Sequence, residues 1–335
     1  MSADRHARIT AFLDANGWGG AESRRLAADA SFRSYRRLAR DGQTAVLMDA
    51  PPPKEDVRPF IRVADHLRRH GLGAPAVLAE DTDGGLLLLE DLGDDTFTRL
   101  LQRGEPAEPL YALAVDVLVH LHQLPVPAGV PAYDDQRLLD EASLFTDWYL
   151  PAVLDRPVTA PARDAFLGAW CETLPVVRDQ PRILVLRDFH VDNLMRVAGR
   201  EGLPACGLLD FQDAVAGPAA YDLMSLVEDA RRDIPADLKA RLRGRYRDAL
   251  PGRDWTGFDE VFAVLAAQRH AKVIGIFTRL CVRDGKPGYL HHIPRVWRLL
   301  ETALAHPVLA GVAAWFERHV PQDRRTIPPC RIAAP

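Results

Sequence analysis

The segment Ile183–Met195 reads ILVLRDFHVDNLM, and the segment Cys206–Ala214 reads CGLLDFQDA. In each segment a short apolar run, typical of a buried strand, leads into an acidic residue, Asp188 in the first and Asp210 in the second. Asn193 follows Asp188 by five positions. The pattern predicts two strands that deliver two carboxylates and one carboxamide to loops.

Phosphoryl transfer uses such a set of groups. One carboxylate orients the attacking hydroxyl and accepts its proton, while a carboxamide oxygen and a second carboxylate hold Mg²⁺ against the phosphates. Mg²⁺ prefers hard oxygen ligands and keeps several waters, so few protein groups suffice. For Asp188 and Asn193 alone, an ordinary loop whose side chains cap turns is the alternative interpretation.

The motif R-D-x-x-x-x-N from Arg187 to Asn193, followed by D-F at Asp210, resembles the catalytic and metal loops of protein-kinase-like folds. The stretch GPAAYDLMSL at Gly217–Leu226 is similar to the aminoglycoside phosphotransferase family. This resemblance implies that Asp188 is the catalytic base, that Asn193 and Asp210 bind Mg²⁺, and that ATP is the phosphoryl donor.

The implied fold is α+β and bilobal, with a small β-rich N-lobe at 1–93 that binds nucleotide and a helical C-lobe at 94–335. Periodicity favours a helix at Val57–His70, with Phe60, Ile61, Ala64 and Leu67 on one face. It favours strands at Ser34–Leu38, Thr44–Asp49, Pro75–Ala79 and Leu86–Glu90. Helical periodicity dominates after Thr96, and we expect a ligand in the cleft between the lobes.

Three departures from the resembled pattern bear on function. Leu186 stands where the catalytic loop usually has His, and Gln212 makes the second loop D-F-Q. Only about ten residues separate Asp210 from the helix that carries Tyr221, which leaves no room for the long segment on which protein kinases seat peptides. A small acceptor is therefore expected. Asp222 resembles a structural carboxylate that ties its helix to the catalytic loop.

The predicted nucleotide site has a phosphate-side loop and a hinge. The loop, Asp29–Tyr35, lies between two strands and has no glycine, but its hydroxyl and N–H groups, with Ser31, Phe32 and Arg33 at its centre, can cap phosphates. A polar hairpin is the alternative. The resemblance implies that backbone groups from Glu90 to Leu92 bind adenine.

Lysine is scarce: only four of the 42 basic residues are lysines. Codon bias toward arginine explains most of this scarcity, yet the strand that carries the phosphate lysine in kinases has Met48 at that position. Arg33, Arg36 and Lys54 are the candidates for the missing charge, since arginine can bind phosphate through two hydrogen bonds.

Within the phosphotransferase family the chain most resembles bacterial anomeric kinases of N-acetylmuramate and N-acetylglucosamine. The segments that carry this resemblance are DASFRSYRRL, VLMDAPPP, SLFTDWYL, and the two loops quoted above. It implies a sugar 1-phosphate product used in peptidoglycan recycling. The candidate acceptor contacts are Gln212, Asp213, Trp148 and Arg279.

Two other functions stay open at this point. An aminoglycoside or choline-type kinase would bind a cationic acceptor and would need a strongly acidic pocket. A nucleotide-binding scaffold that has lost catalysis would fit the missing lysine, but it has no need of Asp188, Asn193 and Asp210 together.

Composition restricts the partners. A formal net charge of -4 argues against a nucleic-acid partner. The polar start of the chain and the absence of any apolar run of about 18 residues predict a cytoplasmic protein without a membrane span. Four widely spaced cysteines predict neither a disulfide framework nor a zinc site, so reduced thiols are expected. The sequence leaves both a monomer and a homodimer open.

Overall fold

The computed structural model describes residues 3–26 and 32–331. The strands are β1 Glu22–Arg25, β2 Ser34–Arg40, β3 Gln43–Asp49, β4 Val77–Asp81, β5 Leu86–Glu90, β6 Arg182–Val185, β7 Leu194–Arg196, β8 Cys206–Leu208 and β9 Val215–Pro218. The α-helices are α1 Ala3–Ala15, α2 Arg58–Arg69, α3 Phe97–Gln102, α4 Ala107–Leu121, α5 Asp135–Leu144, α6 Leu150–Leu154, α7 Ala160–Thr173, α8 Pro175–Arg178, α9 Ala220–Val227, α10 Ala236–Asp248, α11 Phe258–Val282, α12 Ile293–Leu304 and α13 Ala310–His319.

The first five strands form one antiparallel sheet in the order β1-β2-β3-β5-β4. Side chains alternate between the two faces of a strand, so Ala45 and Leu47 of β3 point to one side and Val46 and Met48 to the other. Ala45 and Leu47 share a hydrophobic core with Ile9 of α1. Helix α1 therefore covers one face of the sheet, and the face that carries Val46 lines a cleft.

The α+β kinase-like fold class is confirmed, and so are the predicted strands, although β4 runs from Val77 to Asp81 instead of Pro75 to Ala79. Strand β3 ends at Asp49, just before the proline run at Pro51–Pro53, as expected for residues that cannot continue a central strand. The position of strand β1 was not predicted. All four of its side chains are exposed, so its sequence carries no apolar alternation.

The chain packs as two compact units. Of the described residues, the first unit contains those within 3–121, 127–130 and 188–214, and the second contains those within 122–126, 131–187 and 215–331. The segment that carries Asp188, Asn193 and Asp210 thus packs in the same unit as the five-stranded sheet. The division into a nucleotide-binding N-lobe at 1–93 and a helical C-lobe at 94–335 remains a prediction.

Helix α11 is the central helix of the second unit. It contains 25 residues and packs against α5, α9 and α12. At Gly275 an added Cβ would lie 2.3 Å from the backbone carbon of Leu144, so only glycine permits this close approach to the end of α5.

Among the described residues, α11 is long and apolar enough to cross a membrane by length and composition. Pro287–Leu304 and Pro307–His319 pass the same test only as a pair bent by 102°. In α11, 89% of the most apolar window is buried inside the protein. Burial of that kind is typical of the core helix of a folded domain.

One prediction about cysteine was wrong. The structure joins Cys281, at the end of α11, to Cys330 in a disulfide with a Cα–Cα distance of 6.0 Å, whereas Cys171 and Cys206 are free. That Cα separation lies within the range of about 4.4–6.8 Å found in natural disulfides. The two positions are 49 residues apart, and only the packing of the C-terminal tail on the second unit makes them neighbours.

Candidate active site

The loop between β6 and β7 carries Asp188 and Asn193. The side-chain amide of Asn193 donates to the backbone carbonyl oxygen of Asp188 at 2.9 Å, and the backbone N–H of Asn193 donates to the carbonyl of His190 at 2.9 Å. Only the nitrogen of a carboxamide can donate, so the amide oxygen of Asn193 is the end that could bind a metal. His190 is 4% exposed, and its backbone carbonyl and ring both contact Asn193 within the loop.

Helix α3 anchors the same loop from the first unit. Its Thr98 hydroxyl donates to the Asp192 carboxylate, and the Thr98 backbone N–H donates to the carbonyl of Val191 at 3.2 Å. These bonds hold the backbone that joins Asp188 to Asn193, which is what a catalytic loop requires because its groups must not drift by an ångström.

Asp210 is brought beside Asn193 by the β7–β8 hairpin. The N–H of Leu209 donates to the carbonyl of Asn193 at 3.0 Å, and the Asn193 and Asp210 side chains line one cleft. Asp210 has a φ of +57°, a conformation that costs a residue other than glycine about 1–3 kcal/mol. Phe211 helps to hold it, because its ring packs 4.8 Å from that of Phe60 on α2.

Gln212 contacts the proposed metal ligand. Its side-chain amide donates to Oδ1 of Asp210 at 2.7 Å and lies 3.4 Å from Oδ2 of Asp213. Gln212 is buried and Asp213 is exposed. Both residues were predicted to contact the acceptor, and this remains a prediction. The structure adds that Gln212 orients the carboxylate of Asp210.

The oxygen atoms that these two loops could offer as metal ligands fit Mg²⁺. Among residues 3–26 and 32–331, no group of three or more His, Cys, Asp and Glu side chains is arranged to hold a metal ion. Mg²⁺ in phosphoryl-transfer sites needs only one or two protein oxygens, since phosphate oxygens and waters complete its shell. Asn193 and Asp210 offer one amide oxygen and one carboxylate for such a site.

In the second unit, Asp222 holds the residues just before Asp188. Its carboxylate accepts hydrogen bonds from the backbone N–H groups of Leu186 at 2.6 Å and Arg187 at 2.9 Å, and the side chain is fully buried. This is the structural tie expected for Asp222. Arg187 itself has a φ of +70°, so the backbone is also strained directly before Asp188.

A buried carboxylate, that of Glu141 on α5, forms an ion pair with the side chain of Arg187. Glu141 pairs with the guanidinium of Arg187, lies 3.0 Å from Nζ of Lys272, and accepts a hydrogen bond from the Tyr133 hydroxyl at 2.5 Å. Burial alone would raise the pKa of Glu141, but Lys272 and Arg187 hold it below its usual value. Sequence reasoning missed this network, because α5, α11 and the loop are far apart along the chain.

The open face of the sheet forms the wall of a cleft of about 410 Å³ in the first unit. Its apolar lining includes Val46, Leu89, Leu92, Met195 and Leu209, and the loop residues Asn193 and Asp210 lie at its polar side. Glu90 lines it too, but its carboxylate is engaged by Arg200 and Arg68. An apolar slot bordered by hinge backbone suits a purine ring.

Arg37 of β2 ties down the hinge, a role that sequence reasoning missed. It donates to Asp91 at 2.9 Å, to Asp94 at 2.7 Å and to the carbonyl of Gly93 at 2.7 Å. The hydrogen bond from Arg37 holds the pKa of Asp94 below its usual value. A guanidinium fork that bridges the start and the end of a short segment fixes its backbone.

The structure separates the three candidate phosphate cations. Arg33 is 9% exposed, and its Nη2 lies 3.7 Å from Oδ1 of Asp210. Arg36 is bonded to the hydroxyl of Ser23 at 2.8 Å, and the ammonium of Lys54 lies 4.4 Å above the ring of Phe32. Of the three, only Arg33 is recorded beside a predicted metal ligand. Ser31 lies outside the described residues.

Trp148 and Arg279, the other predicted acceptor contacts, lie in the second unit. Trp148 is half-buried in the π-helical turn Phe145–Tyr149. Arg279 is half-buried on α11, where burial and the nearby Arg283 lower its pKa. Their contact with an acceptor remains a prediction.

Comparison with known sequences shows the family of the chain. Residues 22–261 match the family model described as "Phosphotransferase enzyme family". The N-acetylmuramate/N-acetylglucosamine kinase of Caulobacter vibrioides is 36% identical, over 97% of this chain and 99% of its own. The protein of the same name from Pseudomonas aeruginosa is 40% identical, over 88% of this chain and 89% of its own.

Solved structures support the fold. The GDP complex of wild-type aminoglycoside 2′-phosphotransferase-IIIa superposes with a TM-score of 0.59 at 16% identity, over 91% of this chain and 99% of that one. The ternary complex of streptomycin, ATP and APH(2″)-IIa superposes with a TM-score of 0.56 at 15% identity, over 92% and 97%. Taken with the family match and the relatives, this places the chain in the phosphotransferase enzyme family.

Proposed function

We propose that this enzyme transfers the γ-phosphoryl group of ATP to the anomeric hydroxyl of an N-acetylated amino sugar, N-acetylmuramate or N-acetylglucosamine, to form the sugar 1-phosphate for peptidoglycan recycling. The observation that carries the proposal is the loop pair that brings Asn193 and Asp210 to one cleft, with Asp188 held by the same loop. The names of relatives at 36% and 40% identity support the sugar class.

The chemistry assigned to this chain begins at Asp188. Its carboxylate orients the acceptor hydroxyl and takes the hydroxyl proton as the oxygen bonds to the γ-phosphorus. The bond from that phosphorus to the β–γ bridging oxygen breaks, and ADP leaves with the electron pair. Asn193 and Asp210 would hold Mg²⁺, which neutralises phosphate charge when bound.

The nucleotide would lie in the cleft of the first unit. Its purine would pack between Val46 and Leu209 and bond to hinge backbone between Glu90 and Leu92. The phosphates would then extend toward the polar side of the cleft, where Asn193 and Asp210 lie. Fixation of the hinge by Arg37 supports this orientation, because a rigid hinge presents its backbone groups without an ordering cost.

We also propose that the protein works in the cytoplasm with ATP and a small amino sugar as its partners, and not with nucleic acid or a membrane. The net charge of -4 supports the exclusion of nucleic acid. The burial of α11 supports its role as a core helix.

An acceptor panel tests the proposal. ADP release is measured with Mg·ATP or Mg·GTP and, in turn, N-acetylmuramate, N-acetylglucosamine, an aminoglycoside and choline. We expect turnover with an N-acetylated sugar and no turnover with its 1-O-methyl glycoside, which lacks the anomeric hydroxyl. Turnover confined to the aminoglycoside or choline would favour a cationic acceptor. Nucleotide binding without turnover on any acceptor would favour the scaffold.

A further inference from the structure

Arg33 directly precedes β2 and lies on the side of the sheet that forms the cleft wall. Tyr35 and Arg37 of β2 both line the cleft, and a residue two positions before Tyr35 has its side chain on the same face when the strand geometry continues. The ion pair with Asp210 at 3.7 Å shows that Arg33 follows this pattern. Its side chain is 8% exposed, so a cation is buried beside the metal-side carboxylate.

Glu55 holds the segment that carries Arg33. It accepts a hydrogen bond from the backbone N–H of Phe32 at 3.2 Å, and its Oε2 lies 3.8 Å from Nε of Arg33. One carboxylate just before α2 therefore contacts both the backbone before Arg33 and the Arg33 guanidinium. Burial alone would lower the pKa of Arg33, but Tyr35, Asp210 and Glu55 hold it above its usual value, so the group is charged at all working pH values.

Two other basic groups near the cleft, Arg37 and Arg99, form ion pairs with hinge carboxylates. Arg37 is committed to Asp91 and Asp94, and Arg99 also pairs with Asp94. On β3, Met48 is 1% exposed and uncharged, although it shares the cleft-facing side of the strand with Val46. A triphosphate beside carboxylates such as Asp210 needs a nearby cation, and the structure places the Arg33 guanidinium 3.7 Å from the Asp210 carboxylate.

We infer that Arg33 is the phosphate-binding cation of this enzyme and that Glu55 is its positioning residue, replacing the pair that protein kinases build from a strand lysine and a helix glutamate. The inference rests on the proposed use of ATP. The distances of 3.7 and 3.8 Å from Arg33 to its two carboxylates exceed the hydrogen-bond range of about 2.7–3.2 Å. Phosphate oxygens can therefore form shorter bonds to this guanidinium than either carboxylate does here.

Calorimetric titration of the full chain with Mg·AMP-PNP and with adenosine tests the inference. Arg33→Gln should weaken AMP-PNP binding by about 10- to 100-fold, as expected for the loss of hydrogen bonds between charged groups. Adenosine affinity should not change, because adenosine has no phosphate, and this second ligand also reports that the variant is folded. Arg36→Gln is the matched control, since Arg36 points to the other face and bonds to Ser23.

Two variants separate charge from packing. Arg33→Lys keeps the charge but loses the two-pronged hydrogen bonding, so it should bind AMP-PNP more tightly than Arg33→Gln and less tightly than the wild type. Glu55→Gln keeps an acceptor for the Phe32 N–H but removes the charge. If the two residues act as one unit, Glu55→Gln should cause no further loss of AMP-PNP affinity in the Arg33→Gln background. Fully additive losses would overturn the role of Glu55.

The inference about Arg33 fails if Arg33→Gln binds AMP-PNP as tightly as the wild type, or if Arg33→Lys is as weak as Arg33→Gln. If the wild type phosphorylates its sugar and Arg33→Gln binds AMP-PNP normally, the phosphate-binding role of Arg33 is contradicted but the proposed function is not. A wild type that binds neither AMP-PNP nor adenosine would overturn the proposed function and this inference together.

Discussion

Asn193 donates its side-chain amide to the backbone carbonyl oxygen of Asp188 at 2.9 Å. The bond closes the catalytic loop on itself, so the proposed metal ligand also fixes the backbone of the proposed base. A single side chain thus connects the two functions, and changing it should affect both the rate and the response to metal.

Asn193→Ala should lower kcat by about 100-fold or more, because the loop loses its internal bond and the reacting groups are misplaced. The Mg²⁺ concentration that gives half-maximal activity should rise, since one oxygen ligand is lost. Steady-state assays across a magnesium titration measure both quantities. The matched control is Asn16→Ala, which removes the other asparagine, a residue bonded to the carbonyl of Phe12 in α1. Equal magnesium responses in the two variants would contradict the metal role.

The strained backbone at Arg187 provides a second prediction. Its φ of +70° favours glycine, so Arg187→Gly should be more stable than Arg187→Ala by about 1 kcal/mol in urea unfolding. Both variants lose the ion pair with Glu141, and both should lose kcat if that pair positions Asp188. A glycine variant with wild-type kcat would show that the conformation matters and the ion pair does not.

The Cys281–Cys330 disulfide should stabilise the second unit. Closing a loop of 49 residues is worth about 4 kcal/mol in the chain-entropy treatment, so Cys330→Ser should lower the free energy of unfolding by up to that amount. Urea unfolding with and without reductant measures the effect, and Cys171→Ser is the control at a free, exposed cysteine. Non-reducing peptide mapping that recovers Cys281 and Cys330 as separate thiols would contradict the linkage.

The buried imidazole of His122 should make stability depend on pH. Burial lowers its pKa to about 3, and its Nδ1 bonds to the Tyr246 hydroxyl at 2.6 Å. The unfolded imidazole takes up a proton near pH 6.5, so below that pH the unfolded state binds more protons and stability falls toward pH 3. Between pH 7.5 and 5 the loss should reach about 2 kcal/mol.

Urea unfolding at pH 7.5, 6.5 and 5 tests this prediction. His122→Gln should be less stable than the wild type at pH 7.5, but it should lose less stability on acidification. A variant whose stability falls as steeply as that of the wild type would assign the acid sensitivity to other groups.

Much of the first unit could be predicted because its signals are local. The continuous apolar runs of β3 and β5 predict buried central strands, and an acidic residue after an apolar run marks Asp188 and Asp210 as candidate site residues. Strand β1 escaped prediction because its residues are all exposed. Such a strand is held by backbone pairing to β2 and by polar contacts such as the Arg36–Ser23 hydrogen bond, and these leave no apolar pattern.

The missed parts of the site depend on contacts between distant segments. Glu55 acquires its role only when the residues before α2 meet those before β2, and Glu141 only when α5 meets α11 and the catalytic loop. No spacing rule connects such positions in one sequence. The missing lysine at Met48 was the available clue, because it required a cation from elsewhere and reduced the candidates to three.

The most direct test of the central claim is the position of the transferred phosphate. The enzyme is incubated with Mg·ATP and N-acetylmuramate or N-acetylglucosamine, and the product is analysed by ³¹P–¹H correlation NMR, with Asp188→Asn as the inactive control. The account predicts a phosphorus signal coupled to the anomeric proton with the wild type and none with Asp188→Asn. A phosphate on another hydroxyl, or an unchanged rate in Asp188→Asn, would contradict it.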